Sequence, residues 1–157
     1  MNGLFIMKKL PYWSDLPVIE LYLDQVLLYV NDTTSLLFNI SDQKPLTASM
    51  VNNYVKHGYV KKPIKKKYGK TQLAQLIAIS LLKEVFNIQV LTETMMTLAE
   101  QHDKESLFDA FTSCLNAENL ENIDIPEVVE RACATLKLYY STLDLLVPQE
   151  DTTHEHD

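Results

Sequence analysis

The chain has 157 residues, 46% hydrophobic and 22% charged, with a net charge of −7. That is ordinary for a globular protein with its own core, so the length fits one domain or a small domain with an appendage. Only three glycines are present, which argues for helices and against a turn-rich β-sandwich.

From the N-terminus, residues 1–14 read as an irregular arm. "MNGLFIMKKLPYW" has a short apolar run before its lysines, the reverse of a signal peptide, so a cytoplasmic protein is expected. "SDLPVIELYLDQVLLYV" reads as a largely buried helix, capped by Ser14 or Asp15 with Pro17 in its first turn; a strand over "IELYLDQV" is the competing reading. Residues 31–45 form a polar connection with an apolar knot at Leu36–Phe38.

Thr47 is a suitable N-cap for a short helix over 48–57, and Gly58 a suitable left-handed terminator. Met50, Val51, Tyr54 and Val55 fall on one face, with Ala48, Ser49, Asn52, Asn53 and Lys56 on the other. Asparagine amides both donate and accept, as reading base edges requires; plain solvent exposure near a helix end is their other use.

"YVKKPIKKKY", 59–68, reads as a small β-wing carrying Lys61, Lys62, Lys65, Lys66 and Lys67, with Pro63 at a turn or edge. Between Gln43 and Lys83 there are nine lysines and no acid, so this segment carries +9 and the rest of the chain −16. Such asymmetry points to nucleic-acid contact, although lysines on a hairpin also guard a sheet edge. Thr71 opens a strong helix running to about Phe86; its stretch "LAQLIAISLL" is about ten residues long, too short for a membrane span.

The second half is acidic and helical. Helices are expected near 89–101, after Asp103 with Leu107, Phe108, Phe111 and Leu115 inward, and after Asp124, where "DIPE" resembles a capping box with proline in the first turn. In the last helix, Val129, Ala132, Leu136, Tyr139, Leu143 and Leu146 form a heptad-like seam, available either to its own domain or to a second subunit. Tail residues 149–157 read as disordered, and His154 and His156 lack further ligands for a metal site. Cys114 and Cys133 show no CxxC spacing and are expected as reduced core thiols, with a disulfide or metal site as the lesser reading.

"LPYWSDLPVIELYLDQV", "LTASMVNNYVK", "KPIKKKY" and "QLAQLIAISLLKEVF" together resemble domain of unknown function family 1836, a bacterial, mainly Gram-positive family, over about residues 10–90. The same stretch is similar, more distantly, to MerR-type winged helix-turn-helix regulators, through Tyr54, Gly58, Lys61 to Lys67, Tyr68, Thr71 and Leu73. That resemblance implies a mainly α fold: a winged helix-turn-helix DNA-binding part over 10–90, then a helical dimerisation or effector region over 91–148. Asn52, Asn53 and Lys56 stand where that group carries arginines, which favours adenine over guanine reading.

The expected function is a dimeric DNA-binding transcriptional regulator. Its expected contacts to duplex DNA are Thr47, Ser49, Asn52, Asn53, Lys56, Lys61, Lys62, Lys65, Lys66, Lys67 and Lys70, and the last-helix seam would pair subunits. The alternative is a winged-helix adaptor whose lysine patch docks an acidic protein. No catalytic motif, metal site or cofactor fingerprint is found, and no enzymatic activity is expected. Phe108, Phe111, Tyr139 and Tyr140 would line an effector pocket if one exists, but aromatics at helical spacing are more often core.

Overall fold

The computed structural model describes residues 9–35, 37 and 44–146. Leu36, Phe38 and the tail with His154 and His156 lie outside them. The described chain is mainly helical, with one small two-stranded antiparallel sheet.

The N-terminal arm makes a short 3-10 turn, Trp13–Asp15. Asp15 N–H donates to the Tyr12 carbonyl at 2.9 Å, and the Asp15 carboxylate accepts the Tyr12 N–H at 3.0 Å. The expected helix does not start here. Leu16 precedes Pro17, and the proline ring holds it extended, at φ −66° and ψ 150°. The chain instead runs into a short strand, β1 (Leu21–Tyr22), and only then into α1 (Leu23–Ser35). The Gln25 side chain accepts the Tyr22 N–H at 2.9 Å and so caps the transition. Nor is α1 buried all round: Val26, Val30, Thr33 and Thr34 face inward while Leu28 is exposed.

The way into α2 (Ala48–Lys56) is fixed by one side chain. The Asn31 amide donates to the Leu46 carbonyl at 2.9 Å and accepts the Leu46 N–H at 2.8 Å. The Thr47 hydroxyl then accepts the Met50 N–H, the expected N-cap. The expected stop is present too. Gly58 has φ +77°, its N–H donates to the Val55 carbonyl, and the Tyr59 N–H reaches back to the Tyr54 carbonyl at 2.8 Å.

Strand β2 (Lys67–Tyr68) pairs antiparallel with β1, Leu21 opposite Tyr68 and Tyr22 opposite Lys67. Because side chains alternate across a strand, Leu21 and Tyr68 enter the core together. Helix α3 (Lys70–Leu82) follows and is the central helix, burying nine residues. It packs on α1, α4 and α6. Helices α4 (Ile88–Gln101, capped by Asn87) and α5 (Lys104–Asn116, capped by Asp103) lie close to their expected bounds.

The last helix, α6 (Glu127–Leu146), starts directly after Pro126, whose carbonyl accepts from Val129 and Glu130. The proline therefore precedes the helix, and Asp124 stands too early to cap it. Helix α6 packs chiefly on α5. One continuous cluster of buried side chains runs from Leu10 to Tyr140. No helix among the described residues is long and apolar enough to cross a membrane.

Candidate nucleic-acid interface

Helix α2 buries Val51 and Tyr54, and half-buries Met50 and Val55. Its opposite face leaves Ser49, Asn52, Asn53 and Lys56 exposed, with Ala48 half-buried at the edge. Thr47 is exposed, but its hydroxyl is engaged as the cap. His57 closes the helix. Its Nδ1 lies 2.9 Å from the Asn53 carbonyl, which requires the proton on Nδ1, and its ring stacks on Tyr59 at 5.4 Å. These contacts describe a helix-end role for His57.

The lysine-rich segment turns back in a tight hairpin. Ile64 and Lys67 exchange both backbone hydrogen bonds, at 3.1 and 2.9 Å. The two residues between them, Lys65 and Lys66, have φ of +52° and +66°. Two consecutive positive-φ residues are the pattern of a type I′ turn, whose backbone twist matches a hairpin but which ordinarily demands Asn-Gly. Placing two lysines there costs roughly 1 kcal/mol each in backbone strain. Both side chains are exposed, as are Lys61 and Lys62 on the approach.

Two glutamines of α3 hold this hairpin. The Gln75 Oε1 accepts the Lys61 N–H at 3.2 Å. The buried Gln72 donates to the Lys62 carbonyl at 3.4 Å and accepts the Gly69 N–H at 2.9 Å. Neither was among the residues expected from sequence to matter. Gln72, three residues after the helix-capping Gly69, is the one a capping-box reading finds.

The last two expected contacts are placed differently. Lys67 is half-buried, with its ammonium 5.4 Å from the centre of the Tyr22 ring. Lys70 is half-buried and donates to the Trp13 carbonyl at 3.2 Å. Both ammonium groups are thus engaged within the chain. By contrast, no salt bridge joins any of the nine lysines between 43 and 83 to a described carboxylate; the two ion pairs seen are Lys9–Glu118 and Arg131–Glu127.

The expected last-helix seam is divided. Val129 and Leu136 are buried, Ala132 and Leu143 half-buried, but Tyr139 is 36% exposed and Leu146 71%. The buried stripe is Val129, Cys133, Leu136 and Tyr140, so the helix spends its first half on its own core. Cys133 and the half-buried Cys114 are free thiols, both raised above the usual thiol pKa, chiefly by burial. No cluster of three or more metal-ligating side chains occurs among the described residues.

The arm docks along α5 through contacts that local sequence gives no sign of. Asn116 accepts the Leu10 N–H at 2.8 Å and donates to the Leu10 carbonyl at 3.0 Å. Thr112 donates to the Pro11 carbonyl, and the Trp13 N–H donates to the Asp109 carboxylate at 2.8 Å. The family model described as Domain of unknown function (DUF1836) matches residues 11–116, about two thirds of the chain. The chain belongs to that family. The DUF1836 match extends beyond residue 90 to the end of α5, and its two ends are the segments that this clamp ties together. Helix α6 lies outside it. No curated protein and no solved structure matches the chain.

Proposed function

We propose that this DUF1836 protein is a DNA-binding transcriptional regulator of the winged helix-turn-helix kind, similar to MerR-type regulators. In this reading, residues 10–90 are the DNA-binding unit and residues 91–148 the part that pairs subunits. Helix α2 enters the major groove with Ser49, Asn52, Asn53 and Lys56 toward the base edges. Lys61, Lys62, Lys65 and Lys66 rest on flanking phosphates.

One observation carries the reading: a strained hairpin tip holds two lysines outward, with no salt bridge to any described carboxylate, in a chain of net charge −7. Amides on α2 favour adenine through paired donor and acceptor contacts. A two-fold dimer would recognise half-sites about 34 Å apart, one helical turn.

The test is fluorescence anisotropy with random and selected duplexes over a salt series. Binding at low salt that weakens steeply as salt rises is expected. Replacing Lys61, Lys62, Lys65 and Lys66 together by alanine should remove it, while Asn52→Ala and Asn53→Ala should flatten sequence preference more than total affinity. Absence of duplex binding at low salt sinks the reading and leaves the lysines to an acidic protein partner.

A further inference from the structure

Helix α4 contributes only Leu91 and Thr92 to the buried core. Leu91 and Thr92, with the less buried Met95, Leu98 and Ala99, also wall a half-open pocket of about 220 Å³ bounded by α3, α5 and the start of α6. Trp13, Phe108 and Phe111 supply its aromatic surface. An apolar cavity of about 150 Å³ suffices to take up benzene. This one therefore has room for a substituted aromatic ring or a short branched chain.

A single charged residue, Lys104, lies on its lining. Lys104 forms no salt bridge with a described acid. Its neighbour Asp103 is engaged, accepting from the Ser106 N–H and hydroxyl at 2.9 and 2.7 Å. A half-open apolar groove with one exposed ammonium on its lining suits a ligand that is apolar with one negative end.

Two other lining residues reach the proposed DNA-contacting elements. Gln75 faces the pocket and is the side chain that accepts the Lys61 N–H. Tyr59 faces it too, stacks on His57, and supplies the N–H that terminates α2. An occupant would touch the two side chains that set the base of the hairpin and the end of α2.

We propose that this pocket binds a small apolar carboxylate, and that its occupancy is transmitted to the lysine hairpin through Gln75 and Tyr59. Binding and hairpin response are both defined without DNA, so they stand apart from the regulator reading.

Trp13 is the chain's single tryptophan and lies on the pocket wall, so its emission reports occupancy directly. The full chain is titrated with 4-phenylbutyrate and, in parallel, with the uncharged 4-phenylbutanamide. A saturable change in Trp13 emission is expected with the acid, about tenfold weaker with the amide or in Lys104→Gln, as one charge-assisted contact implies. Ala99→Phe adds bulk at an exposed rim position and should abolish the signal with the far-UV circular dichroism unchanged. Amide exchange at Lys61 should slow on saturation in the wild type and not in Gln75→Ala. No saturable change at millimolar acid, equal affinity for acid and amide, or exchange at Lys61 unmoved by saturation would overturn the proposal. So would a concentration-dependent dimer that Ala99→Phe dissociates, since the groove would then hold a second copy. DNA affinity with and without 4-phenylbutyrate is measured separately, so loss of the regulator reading leaves the fluorescence and exchange results standing.

Discussion

Replacing Lys65–Lys66 with Asn-Gly should make the protein more stable and a poorer DNA binder. Both residues occupy left-handed backbone, at φ +52° and +66°. A non-glycine side chain there costs roughly 1 kcal/mol per residue, which glycine escapes entirely and asparagine in part. Against that relief stands about 0.5–1 kcal/mol of extra backbone entropy that glycine loses on folding. The net gain is about 0.5–1 kcal/mol, or roughly 1–4 °C in Tm for a domain of this size. The same change removes two exposed ammonium groups. If each meets a phosphate, the slope of log affinity against log salt falls in magnitude by about 2, near 0.9 for each contact. Thermal melts by circular dichroism and anisotropy over a salt series read the two effects separately. The double arginine variant is the control, keeping both charge and strain and moving neither quantity much. An unchanged or lowered Tm refutes the strain assignment. A raised Tm with an unchanged salt slope refutes the placement of this tip on phosphates.

Thr47→Ala removes the hydroxyl that accepts the Met50 N–H and should cost about 1 kcal/mol in urea unfolding, with helix α2 exchanging its amide protons faster. Asn116→Ala strands both backbone groups of buried Leu10 and should cost about 2–4 kcal/mol, with Trp13 emission shifting to the red as the arm loosens. The Glu118 carboxyl is held below its usual range by the Lys9 ammonium and then by the Tyr12 hydroxyl. A depressed folded pKa gives stability that is present at neutral pH and lost as pH falls through the folded value, so Glu118→Gln should show a shallower acid-side loss of stability. The Tyr12 phenol is pushed up to about 12, mainly by burial and then by Glu118. Its contribution is therefore complete below the ordinary phenol value and is lost as pH climbs toward 12, an alkaline limb that Tyr12→Phe should lack.

Sequence legibility followed the range of the forces involved. Helix α2 could be placed almost to the residue because its signals are local: Thr47 caps it, Gly58 stops it, and the spacing of Val51 and Tyr54 gives its inner face. Strand β1 was far less legible. Leu21–Tyr22 are extended because Lys67–Tyr68, far along the chain, offer them a ladder, and a helix pattern over the same residues reads equally well. The arm was missed for the same reason, since Leu10 is buried by Asn116 and nothing near Leu10 announces it. The α6 seam went astray by geometry. A strict heptad advances by 3.5 residues per turn and a straight helix by 3.6, a drift of about 20° per heptad. That drift is small beside the placement of the stripe: Val129, Cys133, Leu136 and Tyr140 advance by 4, 3 and 4 residues and stay within about 60° of one another at about 100° per residue, while Tyr139 and Leu146 fall about 80–100° from Val129.

The lysine run itself shows why composition alone could not divide the site. Lys61, Lys62, Lys65 and Lys66 are exposed, yet Lys67 lies over Tyr22 and Lys70 bonds to the Trp13 carbonyl. Identical side chains a few residues apart therefore split into an exposed group and a pair engaged within the chain, Lys67 on β1 and Lys70 on the arm. Trp13 is the far end of the Lys70 contact. Its N–H is held by Asp109 of α5, its ring meets Phe108 edge-on at 6.4 Å, and it forms part of the pocket wall. The arm thus ties Lys70, beside the lysine hairpin, to α5 through Trp13, which also lines the pocket. The left-handed Lys65–Lys66 pair breaks a local preference, and the two-residue turn that joins Ile64 to Lys67 is what imposes it. The links between the hairpin and the apolar groove include Gln75, which lines the groove and accepts the Lys61 N–H, and Lys70, which reaches the carbonyl of the groove-lining Trp13.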